Sequence, residues 1–202
     1  MQSQNKYIGD DKFKKMLEHY NCPANINLIK LRFAGAISSP NLNLRPTDVI
    51  SSLWPKGQEP RLQTKEEAEL FFKFFMGLWD DIFDQIKLNK ISLPIEKIKT
   101  ISDLKTFCST RCEQIEAGYL EGFWGGLDNL KIPAFIAQII DSISDLCDIY
   151  RQLGNRDIKD SEFDNVVKTI LHTDKMVNRS IAFITENYVL PRFSEQANTI
   201  KN

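Results

Sequence analysis

Apolar residues return every three or four positions along most of this chain, the spacing that lines one face of an α-helix. Between Asp11 and Tyr20 they fall at Phe13, Met16, Leu17 and Tyr20, and Asn21-Cys22-Pro23-Ala24-Asn25 then breaks the pattern. From Ile26 to Ile37 the positions Leu28, Leu31 and Phe33 fit a strand or a helix, and the small run Ala34-Gly35-Ala36 favours a closely packed helix. After a loop over 38–45, Pro46-Thr47-Asp48 opens a short helix carrying Val49, Ile50, Leu53 and Trp54. Pro55 to Pro60 reads as a turn-rich connector.

The clearest helix follows. Thr64 and Glu67 match a capping box, and Glu66, Glu67 and Glu69 suit the positive end of the helix dipole. Behind them Phe71, Phe74, Phe75, Leu78, Trp79, Ile82, Phe83 and Ile86 make a wide apolar face opposite Asp80, Asp81 and Asp84. Ser102-Asp103 caps a helix through Leu104, Phe107, Cys108, Cys112, Ile115 and Tyr119. Pro133 starts another, through Phe135, Ile136, Ile139, Ile140, Ile143, Leu146, Cys147 and Tyr150, which Gly154-Asn155 stops. The last begins near Ser161 and carries Val166, Val167, Ile170, Leu171, Met176, Ile181, Ile184 and Tyr188 until Pro191 ends it. Strand-type alternation is absent elsewhere. The expected fold is all-α: six to eight helices in two packed layers or lobes. Residues 1–202 form one domain, with lobes at 10–90 and 100–190 and a polar, frayed tail over 192–202.

One stretch stands out against this background. Residues 117–126 hold four of the nine glycines, interleaved with Tyr119, Phe123 and Trp124. Gly118 and Gly122 share a helix face, and each glycine inside a helix costs roughly 1 kcal/mol relative to alanine. A second helix packed too closely for a Cβ would offset that cost. Gly35, Gly118, Gly122, Gly125 and Gly126 are therefore read as close-packing positions, with the Gly125-Gly126 pair ending the helix. The three aromatics are either anchors on a partner-binding surface or core between the halves.

Composition narrows the function classes. A net charge of −1, with 26% charged residues, gives no expectation of a nucleic-acid or anionic-membrane surface. The lysine-rich segment from Lys87 to Lys105 is diluted by Glu96 and Asp103 and reads as a solvated face. No window approaches a membrane span, and the N-terminal residues lack a signal-peptide core, so a cytoplasmic location is expected. Cys22, Cys108, Cys112 and Cys147 are dispersed, and His19 and His172 are isolated. Buried free thiols are expected rather than a metal site. No phosphate loop, dinucleotide fingerprint or Glu-x-x-His pair is present, so neither catalytic residues nor a cofactor is assigned.

Arg32-Phe33-Ala34-Gly35-Ala36-Ile37, followed by the segment from Ser39 to Ile50 with Pro40 and Pro46, resembles the first motif of the bacterial YecA/YgfB-like family. Gly118-Tyr119-Leu120-Glu121-Gly122-Phe123 is similar to that family's G-F-L-x-G-L motif, and the run from Ile140 to Ile149 to its l-x-D-L-x-x-i helix. The resemblance spans about residues 12–185. Glu116-Ala117 stands where the family has Trp-Cys, the family's tryptophan is missing around position 49 with Trp54 the nearest one, and no Cys/His cluster follows Cys147, so a role needing the zinc-binding tail of longer members does not transfer. The resemblance implies an all-helical domain of two packed layers, no catalytic residues, and a part as adaptor or regulatory partner in the bacterial cytosol. The expectation is thus a non-enzymatic helical protein acting through a protein partner, with homodimerisation left open. The alternative is a small-ligand binder or enzyme with a pocket between the two halves.

Overall fold

Helix capping and apolar spacing translate directly into the elements of the computed structural model, which describes residues 6–127 and 129–199. The chain forms α1 (Asp10–His19), α2 (Ile26–Ser38), α3 (Pro46–Ser51), α4 (Lys65–Lys87), α5 (Ile101–Glu113), α6 (Glu121–Trp124), α7 (Ala134–Asn155), α8 (Phe163–Ile184) and α9 (Leu190–Thr199). It is an all-α multi-helix fold, and no strand occurs among the described residues. The segment that fits either period, Ile26 to Ile37, is helical. Asn25 caps it, its side chain accepting from the Leu28 amide at 3.0 Å.

Two π turns run inside these helices, and one of them carries its helix past the end that the sequence marks. Gln114–Leu120 links α5 to α6, giving one continuous helix over 101–124. Thr185–Val189 links α8 to α9, so the helix passes through Pro191 instead of ending there. Proline lacks an N–H and its ring crowds the carbonyl four residues back, which stops an ordinary α-helix. Here Pro191 stands in the first turn of α9, just after the wider π turn, where that N–H is not needed. The expected frayed tail is helical to Thr199, and its remainder lies outside the described residues.

Caps also shift slightly. Thr100, not Ser102, caps α5: its hydroxyl accepts from the Asp103 amide at 3.1 Å, and Asp103 accepts in return from the Thr100 amide at 3.0 Å. At α4, Thr64 Oγ1 accepts from the Glu67 amide at 3.1 Å, while Glu67 reaches one residue further back, to the Gln63 amide at 2.6 Å.

The buried side chains form one contiguous cluster from Phe13 to Val189. Phe13, Phe33, Trp54, Phe71 and Phe75 make an aromatic knot between α1, α2 and α4, with Phe13 and Phe75 edge to face at 5.1 Å. The second half stacks α5 on α7 and α7 on α8. The halves meet where α2 crosses the 101–124 helix. No helix among the described residues is long and apolar enough to cross a membrane.

Candidate functional site

At this crossing the two helix backbones touch. A Cβ on Gly35 would overlap the Tyr119 carbonyl oxygen and lie 2.8 Å from the Phe123 nitrogen. A Cβ on Gly122 would overlap the Arg32 carbonyl oxygen and lie 3.0 Å from the Ala36 nitrogen. Gly118 is less confined, its missing Cβ falling 3.1 Å from Leu31 Cβ. Gly125 takes a left-handed conformation (φ 57°) and closes α6, its amide donating to the Glu121 carbonyl at 2.9 Å.

Arg32 stitches the crossing together. Its Nε donates to the Ala117 carbonyl inside the π turn at 2.7 Å, and Nη1 to the Ser52 carbonyl beyond α3 at 2.9 Å. Burial lowers its pKa while Glu121 works in the opposite direction. An arginine starts from so high a value that it stays charged at neutral pH. Wide turns like this one are rare and are often found at functional sites.

Beside the crossing lies a notch of about 140 Å³, lined by Arg32, Leu44, Asp48, Ser52, Glu121 and the glycines Gly122, Gly125 and Gly126. Around it the structure separates the three aromatics singled out from the sequence. Tyr119 and Phe123 are buried and present no ring to a partner, which corrects their reading as binding anchors: their helix turns both toward α2. The Tyr119 hydroxyl makes no well-formed hydrogen bond, with the Ser38 side chain as its polar neighbour, and burial raises its pKa. Trp124 is half-buried, packed edge to face on Phe123 at 5.8 Å. Leu127 and Leu42, each two residues or fewer from a lining residue, are 45% and 77% exposed.

A second polar assembly escaped the sequence reading. Arg111 is 1% exposed. Its Nη1 donates to Gln114 Oε1 at 2.6 Å, and its Nη2 to the Pro94 carbonyl at 2.8 Å and to Asp174 Oδ2 at 3.1 Å. Its Nε has no partner. Tyr150 donates to the other Asp174 oxygen at 2.5 Å. Burial raises the Asp174 pKa from its ordinary value, against the pull of Arg111 and Tyr150, and Tyr150 is raised by burial and by Asp174. The cluster ties α5, α7, α8 and the 88–100 connector together. Its signal in the sequence is an arginine at an apolar stripe position, between Cys108 and Ile115.

The thiols are not poised for chemistry. Cys108, Cys112 and Cys147 are buried and Cys22 half-buried, all four unbridged. Burial pushes Cys108 up to about 11 and Cys147 up to about 12, so both are protonated at neutral pH. Among the described residues no group of three or more His, Cys, Asp or Glu could hold a metal ion. The backbone contact between α2 and the 101–124 helix leaves no space at the crossing itself. The larger cleft, about 230 Å³, lies at the margin between α2, α4 and residues 90–95, below the roughly 300 Å³ at which small-molecule sites usually begin. No protein-family model, curated protein or solved structure matches this chain.

Proposed function

We propose that this protein is a non-enzymatic helical module that binds another protein through the face around the glycine crossing. The observation that carries the reading is the notch lined by Gly122, Gly125 and Gly126, next in sequence to the half-buried Trp124 and to Leu127, which, like Leu42 two residues from the lining Leu44, is exposed. Exposed apolar side chains near a notch that mixes apolar walls with charged groups are the composition of a binding surface, where aromatic residues supply most of the energy. An adaptor role in the bacterial cytosol is also what the YecA/YgfB-like resemblance implies.

The test is affinity capture of the tagged protein from lysate of its source, with quantitative mass spectrometry. One stoichiometric partner is expected, lost with Leu42→Asp and with Trp124→Ala while both variants keep their helical signal. Phe123→Ala serves as the contrast. It opens the core and is expected to cost about 3–5 kcal/mol of stability, well above Trp124→Ala. A partner retained by both surface variants, or none at low salt, would sink the proposal.

A further inference from the structure

α7 and α8 run antiparallel. Phe135 near the start of α7 meets Phe183 near the end of α8, with ring centroids 6.4 Å apart, and Tyr150 further along α7 reaches Asp174. Their inward faces are apolar and buried, and their outward faces carry opposite charge. On α7, Asp141 and Asp145 stand four apart and exposed. On α8, Lys168, His172, Lys175 and Arg179 follow one another at helical spacing, all exposed. The only acid of α8 after Asp164, Asp174, is tied to Arg111 and Tyr150. Among the described residues, no hydrogen bond or ion pair within the chain engages the side chains of Asp141, Asp145, Lys168, Lys175 or Arg179. In the seam between the rows, Phe135, Met176 and Phe183 are 44%, 41% and 43% exposed, although the apolar spacing groups Phe135 and Met176 with the core residues.

We propose that a second copy of this chain seats on this face, forming an isologous dimer whose two-fold axis runs along the α7–α8 seam. A two-fold axis parallel to the helices exchanges α7 with α8 across the interface and leaves height along the seam unchanged. Counting from the Phe135–Phe183 contact, Asp141 and Arg179 come next, then Asp145 and Lys175, so equal heights carry opposite charges. Each acidic row therefore meets the basic row of the other copy, and the apolar seam meets itself, in the antiparallel arrangement of a four-helix bundle. An acidic partner protein or an anionic membrane would satisfy α8 and be repelled by α7. A copy of the chain satisfies both. This surface is distinct from the notch at the glycine crossing, and the inference does not depend on the adaptor reading.

Sedimentation equilibrium across the micromolar range at low salt tests it. Wild type is expected at twice the 23.3 kDa of one chain, weakening as salt screens the rows. Lys175→Glu with Arg179→Glu turns the stretch of α8 level with Asp141 and Asp145 acidic, and Asp141→Lys with Asp145→Lys makes both rows basic. Each pair is expected to sediment as a single chain, with unchanged helical signal since all four positions are exposed. An equimolar mixture of the two variants restores the doubled mass, as does one chain carrying all four changes. A wild type that stays monomeric, or a dimer that survives both single-row reversals, overturns the proposal.

Discussion

The glycine crossing and the Arg111 joint lie on the same helix, residues 101–124, and hold it by opposite means. At the crossing, α2 is held by shape: backbone lies on backbone, with Gly35 and Gly122 leaving no room for a Cβ. At the Arg111 joint the partners are charged and bonded, with one guanidinium serving Gln114, Pro94 and Asp174. A steric joint of this kind has no conservative substitution, since every other residue adds atoms. A charged joint can be exchanged as a unit, because its cost lies in desolvating two groups that an apolar pair would not carry.

Three experiments bear on that contrast, taken from the largest expected effect. Gly35→Leu should yield no stable fold. Even Gly122→Ala should lose more than the roughly 3 kcal/mol at which over-packing usually stops, because the overlapped atom is a backbone carbonyl of Arg32. Gly118→Ala, whose nearest contact would be Leu31 Cβ at 3.1 Å, should lose less. Urea midpoints rank the three, and a Gly122→Ala protein as stable as wild type would show that the helices can separate freely.

At the charged joint, Asp174→Ala leaves Arg111 buried without its counter-ion and should cost about 3–5 kcal/mol. The pair Arg111→Met with Asp174→Leu should recover most of that loss, as measured in a double-mutant cycle. A double variant less stable than Asp174→Ala would mean that the Pro94 and Gln114 contacts, not the ion pair, hold the joint.

The smallest effect is in pH. The Asp174 pKa is raised, so the folded state holds its proton more tightly than the unfolded chain, and stability falls as pH climbs from the ordinary value near 3.9 through the raised one. Asp174→Asn should remove that decline. Asp10 provides the opposite sign. Partial burial opposes ionisation there, but bonds from Lys30 and Tyr7 outweigh it and lower the pKa. Its contribution is present above pH about 3.9 and lost as pH falls through the lowered value, so Asp10→Asn should flatten the acid limb. Urea midpoints against pH separate the two.

Much of this was legible locally. The Thr64 cap, the apolar face from Phe71 to Ile86 and the start of α7 follow from the chemistry of a few neighbouring residues, and each lies near where its spacing puts it. The Gly118–Gly122 pair announced a close approach without naming the other helix. That helix is α2, whose own small run at Ala34-Gly35-Ala36 is some eighty residues earlier, and the match between them is a long-range fact. Arg111 was hidden for the same reason: its partners Pro94 and Asp174 come from distant segments.

The sequence by itself determined that the chain is helical, where most helices begin, and that glycines would bring two of them into contact. Periodicity and capping act over single turns and need no fold to operate. The tertiary structure alone decided that Tyr119 and Phe123 face inward while Trp124 stays half-open. It also decided that a π turn carries the last helix past Pro191, its apparent end, and that Phe135, Met176 and Phe183 lie open between an acidic and a basic row. Apolar spacing marks the face a helix can bury, and whether a neighbour covers all of that face depends on where distant segments come to rest.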